Sequence, residues 1–166
     1  MKKVILIGFA ASYKTAVGKI LANMLNCAFV DTDAEIERQC NMSVQQIFDT
    51  RGEKYFREKE SELLRSLRGD GTVISCGGGA VLSPNFATFV QDSAVICLTA
   101  SAETVHARLD GISRPLFDGL TVQKLSDCMQ KRAPLYAQYA QAFFPTDGST
   151  PEQVAEQVFL HITKTS

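Results

Sequence analysis

The stretch Val4-Ile5-Leu6-Ile7-Gly8-Phe9-Ala10-Ala11-Ser12-Tyr13-Lys14-Thr15 sets the architecture of this chain. Four consecutive apolar residues closed by a glycine read as a strand buried on both faces, the habit of a parallel sheet. Beyond Thr15, the residues Val17, Ile20, Leu21, Met24 and Leu25 recur at the 3–4 spacing of one helix face. A buried strand that passes through a short loop into an amphipathic helix is the first half of a βαβ unit, so the stretch predicts an α/β protein.

The pattern continues along the chain. Ala28-Phe29-Val30 is a second short strand ending at Asp31-Thr32-Asp33, and helical spacing returns at Ile36 and Cys40 and again at Val44, Ile47 and Phe48. Glu53 to Leu67 is a further helix with Phe56, Leu63, Leu64 and Leu67 on one side. Thr72–Cys76 and Ala94–Leu98 are strands, the first running directly into Gly77-Gly78-Gly79. The stretch from Asp110 to Val122 holds Gly111, Pro115 and Gly119 without periodicity and is predicted to be a mobile loop. A helix around Lys124–Gln138 follows, expected to be interrupted at Pro134. Ala142-Phe143-Phe144 is the last strand, and Ser149-Thr150-Pro151-Glu152 carries the cap and early proline of the last helix. No repeat, low-complexity tract or linker divides the 166 residues, which are read as one domain.

Composition excludes more than it identifies. With 17 Lys+Arg, 18 Asp+Glu and a net charge of −1, the chain has no basic block with which to hold nucleic acid by bulk electrostatics. The five cysteines form no C-x-x-C pair or metal-like spacing; Cys76 and Cys97 fall in apolar runs and read as core residues, consistent with a reducing compartment. Met1-Lys2-Lys3 before the first apolar run lacks a long enough apolar segment and a small-residue cleavage site, so a cytoplasmic protein without a membrane partner is expected.

Anion chemistry must therefore come from a few placed groups. The Gly8–Thr15 loop lies where a phosphate-binding loop requires it, with helix N-terminal amides facing phosphate, Lys14 reaching the terminal phosphates and Thr15 at Mg²⁺. The pattern G-x-x-x-x-G-K-[ST] is nevertheless broken, because Tyr13 stands at its second glycine and Ala11 adds another side chain. A bulky residue held there at positive φ costs about 1–3 kcal/mol, so a different loop path or tolerated strain is expected. The plain alternative is a strand–helix turn with an incidental lysine. Asp31 and Asp33 close the second strand, where one carboxylate suits Mg²⁺ and the other a hydroxyl, although Asp33 equally suits a helix cap. The three glycines suggest backbone approach to a ligand or, equally, a flexible turn. Arg57, Arg114 and Arg132 read by default as surface charge, with Arg114-Pro115 the most placed of them.

Taken in order, these segments resemble the shikimate kinase family of small P-loop kinases. The resemblance runs nearly end to end, through Phe29-Val30-Asp31-Thr32-Asp33, Ile47-Phe48, Gly52-Glu53, Phe56-Arg57-Glu58, Glu60, Gly77–Val81, Arg114-Pro115-Leu116 and Arg132-Ala133-Pro134-Leu135-Tyr136. It implies a three-layer α/β/α sandwich with a five-stranded parallel sheet in the order 2-3-1-4-5. It also implies a lid over about 110–122 and a shikimate-binding helical region over about 33–61. The implied activity is transfer of phosphate from ATP to the 3-hydroxyl of shikimate, in the pathway to chorismate and aromatic amino acids, with Mg²⁺ as cofactor and a monomer as the acting form. By the same resemblance Asp33, Arg57, Gly78, Gly79 and Arg132 bind shikimate between Phe48 and Phe56, with Asp33 as base. The nucleotide is implied to lie against Ala11, Ser12, Tyr13, Lys14, Thr15 and Ala16, with Arg108 flanking adenine. Lys14 and Arg114 are implied to neutralise the transferred phosphoryl group, and Thr15 and Asp31 to hold Mg²⁺.

The departures gather on the nucleotide side. Besides Ala11 and Tyr13, Phe144-Pro145-Thr146-Asp147 differs from the family's usual apolar-Asp-Thr near the adenine. The alternative reading is thus a family homologue that binds shikimate with weakened or lost nucleotide binding. Another small-molecule kinase such as a gluconate kinase would also begin with a phosphate loop, but the Asp31–Asp33, Phe56–Arg57, triple-glycine and Arg132–Tyr136 set counts against it.

Overall fold

The computed structural model describes residues 2–112 and 114–165. The five apolar runs form β1 (Val4–Ile7), β2 (Ala28–Asp31), β3 (Thr72–Ser75), β4 (Ala94–Thr99) and β5 (Ala142–Pro145). They pair in parallel as one sheet in the order β2-β3-β1-β4-β5, the predicted topology. Side-chain alternation along β1 explains the layering: Ile5 and Ile7 enter an apolar cluster with Phe86, Val105 and Leu125, while Val4 and Leu6 face Val17, Leu21, Val154 and Val158. The second layer brings α1 (Lys14–Met24) against α7 (Pro151–Thr165). Cys76 and Cys97 are buried in the first cluster, and the five cysteines are free thiols.

A smaller cluster of Ile36, Ile47, Phe56 and Leu63 joins α2 (Thr32–Cys40) to α3 (Val44–Ser66). The two helical stretches expected on either side of Gly52 run as one helix with a sharp bend, where Gly52 takes φ 84° and ψ 168°. A 3-10 turn over Ala80–Leu82 and the one-turn α4 (Phe86–Phe89) close the β3–β4 crossover.

Two differences from expectation have clear causes. No helix is expected from the sequence between Leu98 and Asp110, yet α5 (Ala102–Leu109) forms there, started by the Ser101 hydroxyl accepting from Thr104 N at 3.2 Å. Its stripe is short, Ala102, Val105 and Leu109 at the 3–4 spacing with Val105 buried and Leu109 packed beside it, less than the window a periodic reading needs. Pro134 does not interrupt α6 (Val122–Tyr139), which continues past it as one helix. Residues 110–112 and 114–121 form turns and no helix or strand. Among the described residues no helix is long and apolar enough to cross a membrane.

All five strands point their carboxyl ends at one edge, the position at which open α/β sheets build sites. The loops after β1, β2 and β3 meet there, with Asp31 in register with Ser75 and Cys76 N donating to Leu6 O at 3.0 Å.

Candidate active site

The loop after β1 turns left-handed at two non-glycine residues, Ala11 (φ 57°) and Tyr13 (φ 67°). The loop therefore keeps a path that glycine would follow freely, and the strain expected from the sequence is present. Tyr13 is the first residue before α1 and gives it no side-chain cap, and no acidic residue lies in the first turn. The amides of Lys14, Thr15 and Ala16 have no intrahelical acceptors and make an anion cradle with the helix dipole behind it. Ser12 is buried and its hydroxyl donates to Phe9 O at 2.8 Å, tightening the loop.

Lys14 is buried inside this loop, its Nζ donating to Gly8 O at 2.8 Å and Phe9 O at 2.7 Å. Burial pulls the Lys14 ammonium down to about 8, against the attraction of Asp33 and with the repulsion of Arg114. Thr15 is exposed and its hydroxyl donates to Asp31 Oδ2 at 2.5 Å. A hydroxyl and a carboxylate side by side, solvent-facing and beside an anion cradle, are the hard oxygen donors that suit Mg²⁺ shared with phosphate oxygens.

The neighbouring carboxylates do not follow the cap reading of Asp33. The cap of α2 is Asp31, whose Oδ1 accepts from Ala34 N at 3.1 Å, so Asp33 is not the helix cap. Asp33 Oδ1 is sealed from solvent with no hydrogen-bond partner among the described residues. Burial, reinforced by Asp31, raises the Asp33 carboxyl, while Lys14, Arg114 and Arg57 oppose the rise.

Across the cleft, α3 presents Phe56, Arg57 and Glu60. Arg57 donates to Glu60 Oε1 at 2.9 Å and stands 3.5 Å from Glu53. Glu60 is fully buried, its Oε2 has no hydrogen-bond partner among the described residues, and burial pushes its carboxyl up to about 7 against the pull of Arg57. Phe48 and Phe56 form a tilted pair with ring centroids 5.2 Å apart at the wall. Arg132 and the Tyr136 hydroxyl, four residues apart on α6, both donate to Gly78 O, at 2.6 and 2.7 Å.

The glycines after β3 make room for these side chains. A Cβ on Gly79 would collide with the Arg57 guanidinium, and one on Gly77 would sit 2.6 Å from Asp33 Oδ1 and 3.2 Å from Glu60 Oε2. Gly78 has space, with its nearest neighbour, Ala10 N, at 3.4 Å.

Both halves open into one cleft of about 800 Å³, lined by Ala11 to Ala16, Asp31, Asp33, Phe48, Phe56, Arg57, Gly77 to Gly79, Arg108, Arg114 and Arg132. That volume suits a nucleotide and a small acid together. Every site residue expected from the sequence lines this cleft. Arg114 is exposed on the 114–121 segment, and its backbone N donates to Asp118 Oδ1 at 2.6 Å. Arg108 lies against the loop, donating to Ala11 O and Thr146 Oγ1 at 2.9 Å and to Thr146 O at 3.0 Å.

Glu60 and Tyr136 are the residues the sequence reading left without roles. Glu60 had a signal: an acid four residues after Phe56 and three before Leu63 lies within a buried stripe, where only a paired carboxylate belongs. Thr32, whose hydroxyl accepts from Gly77 N at 3.0 Å, had none.

A parallel sheet in this order, with a lysine-bearing anion loop and a carboxylate-and-arginine pocket sharing one cleft, defines a P-loop small-molecule kinase. Comparison with known proteins narrows the class. The chain belongs to the shikimate kinase family, whose family model, "Shikimate kinase", matches residues 10–163. It is 36% identical to a shikimate kinase of Thermodesulfovibrio yellowstonii, covering 100% of this chain and 98% of that protein. A Pseudomonas aeruginosa shikimate kinase is 37% identical over 99% of this chain and 98% of its own length. Among solved structures, the shikimate kinase of Acinetobacter baumannii in complex with shikimate superposes with a TM-score of 0.94 at 30% identity, covering 100% of this chain and 95% of that one. A Sinorhizobium meliloti gluconokinase, at 10% identity and a TM-score of 0.63 over 99% of this chain and 93% of that one, shares the fold alone.

Proposed function

We propose that this protein transfers the γ-phosphoryl group of ATP to the 3-hydroxyl of shikimate, giving shikimate 3-phosphate on the way to chorismate and the aromatic amino acids. The observation that carries the reading is the convergence of Lys14, Arg57, Arg114 and Arg132 with Asp33 on one cleft, in a chain related over its full length to shikimate kinases. The Arg57 and Arg132 guanidinium groups clamp the substrate carboxylate, with Gly78 and Gly79 backbone beside it and Phe48 and Phe56 as walls. Asp33 binds a ring hydroxyl and takes the proton of the 3-hydroxyl as its oxygen bonds to the γ-phosphorus and the bond to the bridging oxygen of ADP breaks.

The amides and side chains of Ala11 to Ala16 hold the phosphates, and Lys14 and Arg114 neutralise the charge developing on the transferred group. Thr15 and Asp31 would hold Mg²⁺, which supplies further charge neutralisation at the phosphates. The 110–122 segment acts as a lid that excludes water. The chain acts as one domain and as a monomer in the cytoplasm, and with a net charge of −1 it has no basic block with which to hold nucleic acid by bulk electrostatics.

The reading of a shikimate-binding homologue with weakened nucleotide binding rests on the strain at Ala11 and Tyr13. Mg²⁺-dependent phosphorylation of shikimate, assayed beside ATP and shikimate binding, separates the two. Turnover with both ligands bound is the expected result. A protein that binds shikimate but neither binds ATP nor turns over is not a kinase.

A further inference from the structure

Tyr13 carries a contact that a glycine at its place cannot make. The Arg108 guanidinium carbon lies 3.6 Å from the centroid of the Tyr13 ring, a stacking distance. The ring packs in turn on the apolar layer that contains Val17 and Val154, so it is a supported surface rather than a free side chain. Arg108 is fixed at its edges as well, through Ala11 O, Thr146 Oγ1 and Thr146 O. A guanidinium held at its edges and covered on one face has its other face left to offer. Arg108 lines the cleft, as do Tyr13 and the rest of the loop. A planar delocalised cation presented this way suits a flat π-system, and the flat part of the proposed co-substrate is its purine.

We infer that Tyr13 is a positioning residue for the nucleotide base: its ring is the platform that holds the Arg108 guanidinium flat at the mouth of the phosphate loop, so that the purine stacks on the guanidinium's open face. The inference rests on the proposed kinase activity and deepens it. It also gives the left-handed tyrosine a use. Glycine at this position removes the torsional strain and removes the platform with it, so the phosphate loop and the base site are coupled through one side chain. Since Tyr13 acts through Arg108, its loss weakens whatever carries a base and spares whatever carries only phosphates.

The test compares two probes that differ in the base. ADP and inorganic tripolyphosphate, each with Mg²⁺, are titrated calorimetrically into the full chain as wild type, Tyr13→Gly, Tyr13→Leu and Tyr13→Phe. Tyr13→Gly and Tyr13→Leu are expected to weaken ADP about fivefold while leaving tripolyphosphate within about twofold, and Tyr13→Phe, which keeps the ring, is expected to keep ADP within about twofold. Tyr13→Leu keeps apolar bulk at the position and carries the test if the glycine variant folds poorly. Equal losses for both probes overturn the inference, because they place the effect in the phosphate loop. Tighter or unchanged ADP binding by both Tyr13→Gly and Tyr13→Leu also overturns it. Neither arm uses shikimate or turnover, so this outcome is read independently of the phosphotransfer assay.

Discussion

The phosphate loop turns left-handed at Ala11 and Tyr13 without a glycine at either, whereas Gly77, Gly78 and Gly79, at the other end of the same cleft, lie outside the left-handed region. Gly79 has φ −97° and ψ 0°, a conformation open to any residue. Its hydrogen is required by what stands in front of it, the Arg57 guanidinium. Glycine in a sequence thus has two separate causes, torsion and space. Torsional strain has a bounded cost, which the phosphate loop bears at two positions. Lost space displaces a functional group, and the substrate end keeps its glycines wherever a working side chain needs the room.

Gly79→Ala tests this most severely. The clash falls on the far end of a flexible arginine, so the guanidinium leaves its place and buried Glu60 Oε1 loses the donor it has there. Stability is expected to fall by about 1–3 kcal/mol as Glu60 is left unpaired, and kcat/KM for shikimate to fall about 100-fold, the scale of losing a charge-assisted carboxylate contact. ADP affinity should be unchanged. Parallel loss of ADP binding would show that the two ends are not separable.

How much of this was legible beforehand follows the same division. The five strands could be read because each holds a short apolar run, and Lys14, Asp33, Arg57 and Arg132, which line one cleft, stand in short motifs that keep their order. Helix α5 does not stand out because its stripe of Ala102, Val105 and Leu109 spans only eight residues, below the window in which a period is read. The reason for the glycines was hidden because it lies in Arg57 and Asp33, on other elements. The Tyr13–Arg108 stack was equally hidden, since the neighbouring bond from Arg108 to Ala11 O spans 97 positions and no local pattern announces it.

The next largest effect separates the ends by pH. Lys14, lowered to about 8 by burial, serves phosphate only when charged, so kcat/KM for ATP should fall about tenfold per pH unit above about 8. Below that value the ammonium is charged and this limb is flat. With ATP saturating, phosphate beside Nζ favours the charged form, and kcat/KM for shikimate should not show the limb. Identical alkaline limbs in both profiles would assign it to another group.

Glu60 gives the substrate end its own pH signature, in stability. Its carboxyl is raised in the folded state from 4.5 to about 7, principally by burial. The folded protein therefore binds the proton more tightly than the unfolded chain, and the resulting stabilisation is complete below pH 4.5 and lost as pH rises to about 7. That change amounts to roughly 3 kcal/mol at most. Glu60→Gln keeps the shape without the titration, so in urea unfolding the variant should lose less stability than wild type between pH 5 and pH 8. Equal losses would mean that Glu60 stays ionised throughout, held by Arg57.

The smallest effect bears on torsion alone. Ala11→Gly relieves a left-handed alanine, worth about 1–2 kcal/mol, but adds backbone entropy to the unfolded chain worth about 0.5–1 kcal/mol. It also removes a half-buried methyl packed beside the cluster that contains Phe9. The sum is a gain of about 0.5 kcal/mol, or about 1–2 °C in Tm, measured by thermal unfolding. Gly78→Ala is the mirror exchange, because its Cβ meets nothing closer than 3.4 Å and its gain comes from restricting the unfolded chain. A rise in Tm for both variants upholds the division between torsion and space. A fall for Ala11→Gly would mean that the lost methyl outweighs the relieved torsion, and the contrast between the two ends would then reduce to packing at both.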